Sequence, residues 1–263
     1  SDAILAGARI APVICGVIQR GYWMSEEPSE IEKAIILDEE NPIFRLNPER
    51  RELPIESKLD EYLFGCSQGL TAIGTAIEKI KIAIIMLEQA RELIPKDTPF
   101  NESEFVEYAI ENYFIRSSSL YDRCLIFSNK LLRLGIANES IEHVLLVTNE
   151  HVKSSGLSEP LKKIGKACRE FSQYRNMIIH HGRYNDESFN TVSAIHKANQ
   201  LSGENGSDRP FTEDVIDRLT DRAIEEKSID FNEHLRKVEA RVNEFFTIAL
   251  PVYHEMKEVV RKL

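Results

Sequence analysis

The chain repeats apolar residues at three- and four-residue steps from Ser57 to about Ile94. An α-helix turns once in roughly 3.6 residues, so this spacing places them all on one side of a helix. Pro95 follows directly, and proline disfavours a helical conformation in the residue before it. The pattern predicts one long helix, with an apolar stripe formed by Leu59, Leu63, Cys66, Leu70, Ile73, Ile77, Ile80, Ile84 and Leu87.

The middle of the chain continues this helical pattern. A second long helix is predicted from Asn101 or Ser103 to Leu134, before Gly135. Its apolar positions cover more than half of its circumference, which is typical of a helix at the centre of a bundle. A shorter helix is predicted from residue 138 to about residue 153.

The last part of the chain is predicted to hold further helices. Ser158 is the expected cap of the first, which runs to His181, because a serine hydroxyl can accept a hydrogen bond from the first turn. Residues 185–210 are rich in Asn, Ser and Gly, and we expect a mobile excursion there. Beyond Pro210, a helix over residues 212–226 leads into a long C-terminal one.

Residues 1–56 differ from the rest, because their short apolar runs alternate with polar, proline-bearing breaks. We predict loops with two or three short strands or a small helix, packed onto the main body by Trp23. The domain organisation that follows is an N-terminal extension over residues 1–56 and a helical domain over residues 57–263. The predicted fold class is all-α, an up-and-down bundle of long antiparallel helices with an irregular N-terminal extension.

The charge and the apolar runs restrict the class of protein. A net charge of −10 argues against binding of nucleic acid by the whole surface, but it leaves room for a local basic site. The longest apolar run, residues 3–18, is broken by Arg9 and Pro12, so we expect neither a membrane span nor a signal peptide. The cysteines are far apart and form no CxxC pair, which favours a reduced, cytoplasmic protein; they are Cys15, Cys66, Cys124 and Cys168.

Candidate chemistry is concentrated at one helix end, where Arg175, Asn176, His180 and His181 precede Gly182. Arginine provides a permanent planar cation that binds a phosphate or its pentacoordinate transition state. Neutral histidine can accept a proton from a ribose 2′-hydroxyl, and protonated histidine can give one to the leaving 5′-oxygen. These residue types therefore indicate cleavage of RNA without a metal ion. The alternative is structural: an arginine paired with an acid, and polar groups that cap the helix.

Further residues extend the candidate site. His181, Arg183 and Tyr184 follow the catalytic candidates and are predicted to help bind the substrate. Arg116 and Arg123 lie along one margin of the second long helix, where they would add positive potential or pair with acids of neighbouring helices. The neighbouring acids show no spacing of metal ligands, so no metal site and no cofactor are predicted.

Arg175 and His180 are five residues apart, which is a rotation of about 140° on a regular helix. They form one compact site only if the last turn unwinds or a second copy of the chain contributes. We predict a symmetric homodimer in which the two motif helices meet at the two-fold axis.

The residues Arg175–His180 resemble the Arg-Asn-x-x-x-His form of the HEPN motif, and residues 114–123 are similar to the central helix of bacterial HEPN proteins. The resemblance covers about residues 57–263. It implies a dimeric, metal-independent endoribonuclease with Arg175 and His180 at the catalytic positions and Asn176 as the polar residue of the motif. The expected products carry 2′,3′-cyclic phosphate ends.

The same resemblance implies a cellular setting and leaves one alternative. HEPN proteins commonly act in toxin–antitoxin, antiphage or RNA-processing systems, so an antitoxin protein is a candidate partner beside the RNA substrate. Other members are non-catalytic modules. The alternative function is therefore a helical module that binds a nucleotide or a protein partner.

Overall fold

The computed structural model of the protein describes residues 28–47, 49, 53–94 and 100–263, except for the side chain of His181. Within these ranges the chain forms ten α-helices and no strand. The α-helices are α1 (Glu30–Ile36), α2 (Lys58–Glu88), α3 (Ala90–Leu93), α4 (Glu102–Leu131), α5 (His143–Thr148), α6 (Glu150–Ser154), α7 (Ser158–Cys168), α8 (Ser172–His181), α9 (Glu187–Glu204) and α10 (Glu213–Arg261), and the 3-10 helices are Pro42–Arg45 and Asn138–Ser140.

Within the described part of residues 1–56 the small-helix alternative is confirmed, because α1 and the 3-10 helix Pro42–Arg45 form there between loops, and the alternative of short strands is wrong in these ranges. Ser29 and Glu32 form a reciprocal capping box that starts α1. Ile31 and Ile35, one turn apart, are buried against the bundle. Trp23 lies outside the described residues. The division of the chain at residue 57 stays a prediction.

Helices α2 and α4 run antiparallel along their whole length. Near one end the Tyr62 hydroxyl donates to the carbonyl of Leu131 over 3.2 Å. Near the other end Arg91 Nε lies 2.6 Å from Glu102 Oε1. The predicted first helix is shorter than expected, because α2 ends at Glu88 and α3 follows as a separate turn. Pro95 lies outside the described residues.

Helix α10 is a single helix of 49 residues that packs antiparallel to α2. Lys81 Nζ lies 2.8 Å from Glu239 Oε1, and the rings of Tyr62 and Tyr253 stack at 6.0 Å between centroids. The break predicted after residue 226 is wrong, because no glycine or proline interrupts the chain between residues 213 and 250. Together these contacts confirm the predicted all-α bundle of long antiparallel helices.

A buried aromatic cluster joins α4 and α10 beneath the motif. Tyr113 stacks on Phe231 with 3.7 Å between ring centroids. His234 binds the Tyr113 hydroxyl through Nδ1 at 2.7 Å and donates from Nε2 to the carbonyl of Ala167 at 3.0 Å. Burial lowers the pKa of His234 below its ordinary value, which favours the neutral ring. The cluster thus fixes the end of α7 from which the motif helix departs.

The predicted helix over residues 158–181 is two helices, α7 and α8. Between the two helices the chain makes hydrogen bonds to the residue three positions earlier, as in a 3-10 turn; the N–H of Glu170, for example, donates to the carbonyl of Ala167 at 3.0 Å. The turn brings the ring of Phe171 to 4.7 Å from His234. Ser158 is the first residue of α7 rather than its cap, because its hydroxyl donates to Val147 C=O. The helix predicted at 138–153 is likewise divided, at Asn149.

The excursion predicted for residues 185–210 is wrong, because most of this segment forms α9. The Asp186 side chain caps the helix by accepting from the N–H of Phe189 at 3.2 Å. Phe189 and Val192 are buried. Two apolar anchors and one cap thus outweigh a composition that is typical of loops.

The buried thiols are not poised for chemistry. Burial raises the pKa of Cys66 and of Cys168 to about 12, and it raises that of Cys124 well above the usual value. Cys15 lies outside the described residues. None of the helices in the described ranges combines the length and the apolar character that a bilayer crossing requires.

Gly165 lets α7 approach α4 closely, which gives a test of the packing. A Cβ at this position would lie 2.8 Å from Tyr121 Cζ, whose hydroxyl is hydrogen-bonded to His143 Nδ1. We expect Gly165→Ala to lower the free energy of unfolding by about 1–3 kcal/mol despite the higher helix propensity of alanine.

The matched control is Gly65→Ala, where a Cβ meets no atom within 4 Å. Alanine there is expected to raise the free energy of unfolding by about 0.5–1 kcal/mol. Denaturant unfolding of both variants makes the comparison. Equal effects of the two substitutions would contradict the close approach of α7 to α4.

Candidate active site

Helix α8, the motif helix that carries Arg175 and His180, packs on the bundle through its inner face. Tyr174 stacks on Phe114 of α4 with 4.9 Å between ring centroids. Ile178, one turn later, is 8% exposed. Gly182 ends the helix with φ +81°, in the left-handed region that glycine adopts without strain, and its N–H donates to Ile178 C=O. The ends of the motif are therefore fixed by packing and by one glycine.

The outer face of α8 carries the catalytic candidates. Asn176 and His180 are four residues apart, so both lie on this outward face, and both are exposed. Ile179 lies beside them and is 49% exposed. Arg175 is half-buried at the margin of the same face, and its Nη1 donates to Asn176 Oδ1 over 3.1 Å. The amide of Asn176 thus holds the guanidinium of Arg175 at the surface.

A carboxylate of α4, Asp122, lies near enough to Arg175 for the two charges to interact. Loss of hydration raises the pKa of Asp122, and the positive charges of Arg123 and Arg175 partly oppose that shift. Arg175 has no ion pair within 4 Å of its nitrogens among the residues that the structure describes, Asp122 included. No ion pair with a described residue therefore neutralises the charge of Arg175.

The structure does not bring Arg175 and His180 together within one chain. Helix α8 is regular up to His181, so the rotation of about 140° between the two side chains persists. His180 makes no hydrogen bond to any residue in the described ranges. His181 is the last residue of α8, and its side chain is outside the described atoms.

Arg183 and Tyr184 are adjacent in the sequence, but Arg183 is exposed and Tyr184 is buried. Arg183 is exposed, with Nε 3.5 Å from Glu107 Oε1; burial raises the pKa of Glu107, and Arg183 opposes that shift. Tyr184 is completely buried, and its N–H donates to Glu111 Oε1. Its ring packs between aromatic neighbours of the core. We therefore correct the prediction that Tyr184 contacts the substrate: its side chain is structural.

Arg116 and Arg123 lie on a different flank of α4. Each is roughly half a turn from Phe114, which faces α8, so the two arginines point away from the motif helix. Arg116 Nε donates to Asn112 Oδ1 at 3.1 Å, and Arg123 Nη1 donates to Ser119 C=O at 2.8 Å. Their role as part of the substrate surface stays a prediction.

Sequence reasoning missed two features of this region. Asp122 lies within the stretch 114–123 quoted above, but nothing in its spacing showed that its charge would interact with that of Arg175. Helix α9 was missed because of its polar composition. No cluster of three or more His, Cys, Asp or Glu side chains in the described part of the chain is arranged to hold a metal ion.

The fold and the motif helix define a class of protein: an all-α bundle with an Arg-Asn-x-x-x-His helix on its surface. The family model described as Cthe2314-like HEPN matches residues 70–249, which is more than half of the chain and includes α8. The chain therefore belongs to the HEPN family, as the resemblance implied. No curated protein and no solved structure is significantly similar to it.

Proposed function

We propose that the protein is a metal-independent endoribonuclease that acts as a homodimer. The HEPN family includes ribonucleases, and its domains often bind RNA and dimerise. The observation that carries the proposal is the outer face of α8, where Arg175 is held by Asn176 and His180 is exposed without a partner in the described structure. Burial in the core, or an ion pair with an acidic residue, would instead have indicated a structural role for Arg175 and His180.

The chemistry needs a base, an acid and a cation. The base removes the proton of the ribose 2′-hydroxyl, whose oxygen then forms a bond to phosphorus. Arg175 stabilises the negative charge of the phosphorane. The bond from phosphorus to the 5′-oxygen breaks as the acid protonates that oxygen. The products carry a 2′,3′-cyclic phosphate and a 5′-hydroxyl.

His180 can be the base when the phosphorane forms and, once protonated, the acid when the phosphorane breaks down, so one site needs one imidazole and one guanidinium group. The rotation of about 140° between Arg175 and His180 along α8 supports participation of a second copy, because two copies that meet through α8 would pair the Arg175 of each with the His180 of the other. The exposed Ile179, which lies between Arg175 and Asn176 around the helix, gives this face the apolar side chain that an interface needs. Ile115, on the outward face of α4, is 39% exposed. We therefore propose α8 as the centre of the two-fold interface.

The test is incubation of the purified protein with mixed RNA in excess EDTA, followed by analysis of the product ends. We expect cleavage with 2′,3′-cyclic phosphate and 5′-hydroxyl ends, because no step uses a metal ion. Absence of cleavage would contradict the proposal and favour the non-catalytic module. We further propose a cytoplasmic toxin–antitoxin or antiphage setting, which requires that expression of the wild-type chain, but not of His180→Ala, arrests growth.

A further inference from the structure

A surface groove runs along α9 beside the motif helix. It consists of two adjoining cavities of about 820 Å³ and about 670 Å³, which share Asn185, Asn190 and Ala194. Met177 of α8 lines the larger cavity, so the groove begins next to the candidate active site. The smaller cavity extends it to Phe211.

The end near the motif offers groups that suit phosphate and base recognition. Arg183 and Lys197 line it, and Lys197 Nζ contacts the neutral Oε1 of Gln200 at 3.3 Å. The Asn190 amide nitrogen donates to Asn185 Oδ1. One amide nitrogen and one amide oxygen of this pair then remain without a hydrogen bond to the described chain. A donor beside an acceptor matches the edge of a nucleobase.

The far end offers a fixed aromatic surface. Phe211 is 36% exposed. Asn199, which is buried, donates to the Phe211 carbonyl at 2.7 Å and accepts from its N–H at 3.0 Å, so the backbone of Phe211 is held in place. Ile195 and Ala198 add apolar surface, and Glu187 is the acid of this end. An aromatic ring among apolar groups, next to a negative charge, suits a base rather than a phosphate.

We propose that this groove binds the single-stranded RNA that flanks the cleaved phosphate, an inference that rests on the proposed function. Lys197 and Arg183 contact phosphates near the motif, the Asn185–Asn190 pair binds a base edge, and Phe211 stacks on a base. The combination of cations, an amide pair and an aromatic platform favours single-stranded RNA over a peptide. Double-stranded RNA is excluded because its bases are already stacked and cannot reach Phe211.

The experiment measures binding of a fluorescent single-stranded RNA to the full chain carrying His180→Ala, by anisotropy at several salt concentrations. Lys197→Ala is expected to weaken binding several-fold and to reduce the slope of log K against log salt by about 0.7, the value for one phosphate contact on a single strand. Phe211→Ala is expected to weaken binding roughly 5- to 100-fold without changing that slope. Phe211→Leu separates stacking from folding, because it keeps an apolar side chain but has no aromatic face.

The control is Lys79→Ala, an exposed lysine of α2 that lines neither cavity. The inference is overturned if the Lys197 and Phe211 variants bind RNA as the Lys79 variant does, or if duplex RNA binds as tightly as the single strand. It is also overturned if these variants lose a protein partner but not RNA. If the wild-type chain does not cleave RNA but the Lys197 and Phe211 variants still lose RNA binding, the groove is supported and only the proposed ribonuclease activity is refuted.

Discussion

Arg175→Ala and His180→Ala are each expected to slow RNA cleavage by roughly 10²- to 10⁴-fold, because each removes a group that acts in the transition state. Arg175 provides the charge that stabilises the phosphorane, and water replaces a fixed guanidinium poorly. His180 transfers the protons. The measurement is the single-turnover rate of formation of 2′,3′-cyclic phosphate ends in EDTA.

The matched control is Gln173→Ala, an exposed residue of the same helix that has no assigned role. It is expected to cleave at the wild-type rate. Because Arg175 is half-buried and His180 is exposed, neither substitution removes a core contact, and melting temperatures should change little. Persistent cleavage by both the Arg175 and the His180 variants would refute the assignment of this helix as the active site.

The second prediction concerns the shared site: mixing the two inactive variants is expected to restore activity. In a mixed dimer, the intact Arg175 of one copy meets the intact His180 of the other at one of the two composite positions. About half of randomly formed dimers are mixed, so about a quarter of the wild-type activity should return. The rotation of about 140° along α8 is the physical reason, since it separates the two side chains within one copy.

The measurement is the cleavage rate after co-refolding or co-expression of the variants, compared with each variant alone. Mixing Arg175→Ala with a second preparation of Arg175→Ala is the control, and it should recover nothing. A mixture of the two different variants that stays inactive would contradict the pairing of Arg175 and His180 across copies. A monomer in solution at assay concentration would contradict it as well.

The long helices were predictable from the sequence. The apolar steps of α2 and α4 are local signals, and the capping serine and asparagine at Ser57 and Asn101 mark their starts. The end of the motif helix was predictable from Gly182, because a helix that ends in the left-handed conformation favours glycine at that one position. Local signals also carried the family resemblance, which the family model over residues 70–249 confirms.

The sequence by itself therefore determined the fold class, the family and the surface helix with its catalytic candidates. Only the tertiary structure decided that Phe171 packs inward where the predicted helix divides, that Tyr184 belongs to the core, and that the charges of Asp122 and Arg175 interact. The physical reason is that burial and charge contact depend on which elements pack together, whereas spacing reports one element at a time. Composition predicted a loop where α9 forms, because most residues of α9 are polar. Two buried apolar side chains, Phe189 and Val192, and the cap by Asp186 stabilise the helix.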